Sequence, residues 1–174
     1  MLSPLDNYYA LLDKVDAICG SITAVLGSRV TCQAGCSGCC TAITVFPVEA
    51  AAMRERLDRL PPGRSAEIRR LAAARAGGER CPLLDDERCC IYDARPVICR
   101  THGLPILFDE GGARRVDCCP LNDLSGLTLN GSTVIDLDRL NTLLTAVNAR
   151  YLAECGIEGL PERIPIIEIA GEAP

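Results

Sequence analysis

Tryptophan is absent from the chain, and aromatic residues make up only 3% of it. The core must therefore be aliphatic, drawn from Leu, Ile, Val and Ala. Lysine occurs once, at Lys14, and histidine once, at His102. No Ser/His/Asp arrangement, phosphate loop or HExxH segment is present, so an ordinary hydrolase is unsupported and no residue is assigned a catalytic role. There is no run of 18 apolar residues, so no membrane-spanning helix is expected. The first nine residues carry neither a basic stretch nor an apolar one, so no signal peptide is visible and a cytoplasmic location is expected. Basic residues are scattered through a chain of net charge -5, which does not suggest a nucleic-acid partner.

What the chain has instead is sulfur: 12 cysteines in 174 residues. Cys32, Cys36, Cys39 and Cys40 form a first block. Cys81, Cys89, Cys90, Cys99, Cys118 and Cys119 form a second. A disulfide scaffold is a poor fit. Cys39–Cys40, Cys89–Cys90 and Cys118–Cys119 are vicinal pairs, which cannot bridge internally without a strained ring. The chain is also long enough to fold around a hydrophobic core without staples. Thiolates at this density point to zinc or to iron–sulfur clusters.

The apolar spacing predicts a mainly α fold with small β-hairpins, in one Cys-rich metal-binding domain spanning residues 1–174. A helix is expected over 4–28, capped by Ser3, opened by Pro4 and stopped at Gly27. Its apolar stripe is Leu5, Leu12, Val15, Ile22 and Leu26. The insert between the blocks, residues 47–76, reads as two helices: about 47–60, begun by Pro47, and about Ser65–Ala76. Pro61-Pro62-Gly63 separates them. One hairpin is expected from Leu104–Phe108 and Arg114–Asp117, and another around Asn130-Gly131, a dipeptide that favours the type I′ turn. A last helix covers about 136–154 and stops at Gly156. Residues 164–169 read as a short strand.

The first block, Cys-x3-Cys-x2-Cys-Cys, is followed by Cys81-Pro82-Leu83-Leu84 and then by Cys89, Ile91, Tyr92, Arg95, Pro96, Cys99 and Arg100 in fixed spacing. This combination resembles the CxxCxxCC-type cysteine-cluster family, described as zinc- or iron-chelating. Phe46-Pro47-Val48-Glu49 is similar to the family's segment after the first block. The resemblance runs from about Cys32 to Asn122. Cys90, where the family pattern accepts almost any residue, and Cys118, an extra thiol beside Cys119, depart from it. The resemblance implies metal binding and says little about a substrate.

The candidate metal ligands are Cys32, Cys36, Cys39, Cys40, Cys81, Cys89, Cys99 and Cys119. Eight sulfurs can fill two tetrahedral zinc sites, or more with bridging. The adjacent side chains of Cys39 and Cys40 leave the backbone in different directions and suit two neighbouring ions. Eight thiolates around two divalent ions leave a charge of about -4. Arg95 and Arg100 read either as offsetting it or as plain surface arginines, while for Arg114 and Arg115 the surface reading is favoured over that role. Zinc is the expected metal, with metal ions as the only assigned partners. An iron–sulfur cluster in a redox protein or enzyme is the alternative, and a zinc-folded interaction module is a second.

Cys32, Cys36 and Cys39 also resemble the cluster motif of radical S-adenosylmethionine enzymes. Gly38 in place of an aromatic, the following Cys40 and the missing alternation of strands and helices count against that class. His102, three residues after Cys99, is either a further ligand or a hydrogen-bonded loop residue. Cys90 and Cys118 stay undecided. Cys19 and Cys155 read as small core residues, Tyr92 as a buried anchor, and Glu49 as a helix-terminal charge or a carboxylate ligand.

Overall fold

Residues 3–171 are described by a computed structural model. The first helix, α1, runs Asp6–Leu26. Pro4 does not open it. Instead the Ser3 N–H donates to Asp6 Oδ2 at 2.8 Å, and the Asp6 N–H returns to the Ser3 carbonyl at 2.9 Å. That reciprocal turn moves the start two residues on. Gly27, at φ 57, ends α1 as expected. Leu5, Leu12, Val15, Ile22 and Leu26 are all buried, and Tyr8 and Leu11 widen the stripe.

The insert forms α2 (Pro47–Asp58) and α3 (Pro62–Ala74). Pro62 is the first residue of α3 rather than part of a break, since its fixed φ suits a first helical turn and its missing N–H costs nothing there. α2 is apolar on two sides. Val48 and Ala52 pack with α1, while Ala50, Met53 and Leu57 join a second cluster with Ile68, Leu83, Ile91, Ile166 and Ile169. Full burial of a side chain such as Met53 or Leu57 contributes about 1.5–3 kcal/mol.

The remaining elements are small. β1 (Thr44–Val45) pairs antiparallel with β7 (Ile164–Pro165). The expected strand at 164–169 stops there. Pro165 caps a short helix, α6 (Ile166–Ile169). β2 (Leu84–Asp85) and β3 (Arg88–Cys89) form a hairpin closed by Asp86 and Glu87, both at positive φ (47° and 60°). The short α4 (Val97–Thr101) follows. β4 (Ile106–Glu110) and β5 (Ala113–Asp117) make the expected hairpin.

The hairpin predicted around Asn130-Gly131 does not form. Asn130 and Thr133 bond each other locally, the Asn130 N–H to Thr133 Oγ1 at 2.8 Å and the Thr133 N–H to the Asn130 carbonyl at 2.9 Å. The chain then reaches the free edge of β4, where β6 (Ile135–Asp136) pairs in parallel. A ready edge outcompetes a two-strand ribbon that has no core face to bury. α5 (Leu137–Cys155) packs Leu140 and Leu144 onto α1 and ends at Gly156 in the left-handed conformation, φ 61. Cys155, expected in the core, is exposed at its last turn.

Glu49 ties the halves together. Its carboxylate is buried and accepts the Phe46 N–H at 2.9 Å and the Val97 N–H at 3.0 Å, so one side chain serves the first turns of both α2 and α4. Burial raises its pKa and these two N–H groups oppose the rise. The Val48 N–H is taken by buried Asn148 of α5 at 3.1 Å.

Candidate metal centre

Two segments far apart in sequence are zipped together beside the first cysteine block. The Cys81 N–H donates to the Cys40 carbonyl at 3.0 Å, the Ala42 N–H donates to the Glu79 carbonyl at 2.8 Å, and Thr41 bridges Arg80. This pairing brings the start of the second block against the end of the first. The β2–β3 hairpin then folds back so that Cys89 lies opposite Leu84, with the Cys90 N–H on the Leu83 carbonyl at 2.9 Å. α4 supplies Cys99.

The result is one cavity of about 180 Å³ lined by Cys32, Cys36, Cys39, Cys40, Cys81, Cys89 and Cys99. All 12 cysteines are free thiols. Cys119, the eighth candidate, does not line this cavity but stands at its edge. Its N–H donates to the Gly103 carbonyl at 3.3 Å, and a side chain at Gly103 would meet Cys32 Sγ at 3.6 Å and Cys119 Cβ at 3.7 Å. Cys90 and Cys118 lie outside the cavity wall; Cys90 packs against the second core. Cys19 is half-buried on α1 and donates to the Arg100 carbonyl at 3.6 Å, as a core cysteine should. His102 does line the cavity, whereas Glu49 is committed to its two N–H donors and does not.

Burial sets the electrostatics. It pushes the thiols of Cys40 and Cys81 up to about 11 and that of Cys99 up to about 12, and it raises Cys32 and Cys89 as well. Neighbouring cysteines raise Cys32, Cys40, Cys81 and Cys99 further. Besides Arg80, whose charge acts on Cys40, three groups work the other way. The Leu83 N–H bonds Cys81 and the Ile91 N–H bonds Cys89, each two residues downstream of its sulfur. The third is Arg95, whose charge stabilises the thiolates of Cys32, Cys89 and Cys99. Its guanidinium lies 3.5 Å from the centroid of the Tyr92 ring and donates to the Tyr92 carbonyl at 2.9 Å. Tyr92 is therefore a platform at the rim, 43% exposed, rather than a buried anchor. Arg100 buttresses Arg95 through the Arg95 carbonyl at 2.8 Å and also pairs with Asp16. Arg114 and Arg115 point elsewhere, to Asp136 and Asp138 and to Glu110.

Two contacts at this site have no local sequence signal. Ser37, Glu87 and Arg80 form a cluster that pins the β2–β3 turn to the first block; Arg80 donates to Ser37 Oγ at 2.9 Å and to Glu87 Oε2 at 2.8 Å. Buried Asn122 accepts the Thr31 N–H at 2.9 Å and donates to the Gly103 carbonyl, closing the segment's ends together.

The donor set suits a borderline or soft cation: sulfur ligands, unpaired, with N–H groups and a guanidinium turned toward them. Among the described residues, no three His, Cys, Asp or Glu side chains stand close enough together to hold a metal ion as they are placed. Ligation therefore requires the thiols to lose protons and turn inward. No described helix is long and apolar enough to cross a membrane.

No curated protein and no solved structure matches the chain. A family model does, that of the CxxCxxCC family, described as a "Putative zinc- or iron-chelating domain", over residues 31–122. The matched span covers more than half of the sequence and holds both cysteine blocks, the insert and the Thr31–Asn122 closure, and the chain belongs to the CxxCxxCC family.

Proposed function

We propose that the chain is a cytoplasmic metal-binding protein that acts as one Cys-rich domain. It holds zinc through the thiolates of Cys32, Cys36, Cys39, Cys40, Cys81, Cys89, Cys99 and Cys119. The observation that carries this reading is the convergence of seven free cysteines, from blocks more than 40 residues apart, on one cavity. Bound zinc supplies a crosslink between the blocks and a share of the folding free energy. The chain's own residues do the rest. The N–H groups of Leu83 and Ile91 and the charge of Arg95 favour the thiolate form, and Met53, Leu83 and Ile166 exclude water from the floor.

An iron–sulfur cluster is the second reading, favoured by the exposure of Cys32 and Cys39 in an open loop where a cluster could be delivered. Elemental analysis and absorption spectroscopy of oxygen-free protein separate the two. Colourless protein with stoichiometric zinc supports the first. Brown protein that releases acid-labile sulfide overturns it in favour of the second.

A further inference from the structure

The eight thiols do not stand in one undivided group. Cys81 is buried, and Cys40 and Cys89 pack with it against the second hydrophobic cluster. Cys99 joins them from α4, lining the same cavity, and its thiol is raised by burial and then by Cys81, Cys89 and Cys40. Cys32 and Cys39 are instead exposed. Cys32 shares the Gly103 cradle with Cys119, and its thiol feels Cys36, Cys39 and Cys119. The vicinal pair Cys39–Cys40 joins the two neighbourhoods through one peptide bond. Arg95 reaches both, acting on Cys32 on one side and on Cys89 and Cys99 on the other.

The geometry points to two four-thiol sites divided at the Cys39–Cys40 peptide bond: an outer one of Cys32, Cys36, Cys39 and Cys119, and an inner one of Cys40, Cys81, Cys89 and Cys99. This deepens the proposed metal-binding reading and rests on it. Four sulfurs complete the shell of one zinc, so neither site keeps an open position. The inner site is walled by Leu83, Leu84 and Met53 and joins the zipped segments 40–42 and 79–81. It holds its metal for longer. The outer site lies in a loop with few packed neighbours and exchanges its metal with solvent chelators. Cys90 packs against the second hydrophobic cluster, but it and Cys118 lie outside the cavity wall and join neither set. His102 lines the cavity and is left over once each shell has four sulfurs.

The test is zinc content and release from the full-length protein, purified without oxygen and challenged with a coloured zinc chelator. About two zinc per chain should leave in two phases, one fast and one slow. Cys36→Ser and Cys39→Ser should each lose the fast equivalent and keep the slow one. Cys40→Ser and Cys99→Ser should lose the slow equivalent. Should an inner variant fail to fold by far-ultraviolet circular dichroism, the exposed Cys32→Ser still decides, because it must remove the fast phase alone. The division is overturned, with metal binding intact, if the wild type holds one ion, if Cys39→Ser and Cys40→Ser lose the same equivalent, or if Cys32→Ser empties the protein. Wild type without thiolate-bound metal overturns the division and the parent reading together.

Discussion

Arg95 is placed by its neighbours to serve the sulfur cavity. Tyr92 supports its plane, the Tyr92 carbonyl fixes its Nε, and Arg100 holds its own carbonyl. Its charge then lies where several thiolates need it. Arg95→Gln keeps much of the length and removes that charge. Zinc affinity in a competition titration should fall about tenfold, the usual scale for losing an outer partner of a metal site. Unchanged affinity would show that the guanidinium only packs on Tyr92. Glu49 is a different kind of residue, since its work is structural. Glu49→Gln places an amide NH2 where one of two backbone N–H groups needs an acceptor. The loss should be about 1–3 kcal/mol in denaturant unfolding. A variant as stable as the parent would contradict the view that Glu49 couples α2 to α4. The sequence offered both readings of Glu49, a helix-terminal charge and a ligand. It could not choose, because the second N–H comes from Val97, 48 residues away.

Helices with an apolar stripe on one face were legible, and those whose surroundings differ from that pattern were less so. α1 and α5 have such a stripe and their stop glycines sit where expected. α2 was found by its proline, but its burial on two sides shows only once the second cluster is assembled. The Asn130-Gly131 signal misled because a hairpin needs two strands with a face to cover, and Ile135 found the edge of β4 instead. The start of α5 offers a clean local test. Asp136 caps it by accepting the Arg139 N–H at 3.0 Å and also pairs with Arg114 at 2.9 Å. These contacts, the backbone bond first, hold its carboxyl below the ordinary value of 3.8. A depressed folded pKa contributes stability that is present above the unfolded value and is lost as pH falls through the folded one. Asp136→Ala should therefore cost about 1 kcal/mol at neutral pH. The gap between variant and parent should narrow below about pH 3.8. A gap independent of pH down to strongly acidic solution would contradict this assignment.

The whole molecule consists of two apolar clusters that share α2, with the sulfur cavity resting against the second. Cysteine spacing marked the two blocks whose thiols line the cavity. It could not show that Cys40 and Cys81 meet through a backbone hydrogen bond, or that Ser37, Glu87 and Arg80 close the rim. Those contacts depend on pairing across the helical insert, which no local pattern encodes. If metal joins the blocks, removing it with a strong chelator under reducing conditions should lower the melting temperature by on the order of 10 °C. Hydrogen exchange should then quicken at Ala42 and Cys81, whose N–H groups form the zip. Equal melting with and without metal would leave the cavity without a structural role. The most direct measurement is X-ray absorption at the zinc edge of full-length protein purified without oxygen. The predicted result is about four sulfur neighbours at about 2.3 Å around each zinc. A shell of oxygen or nitrogen, or protein that carries no zinc, would contradict the thiolate centre.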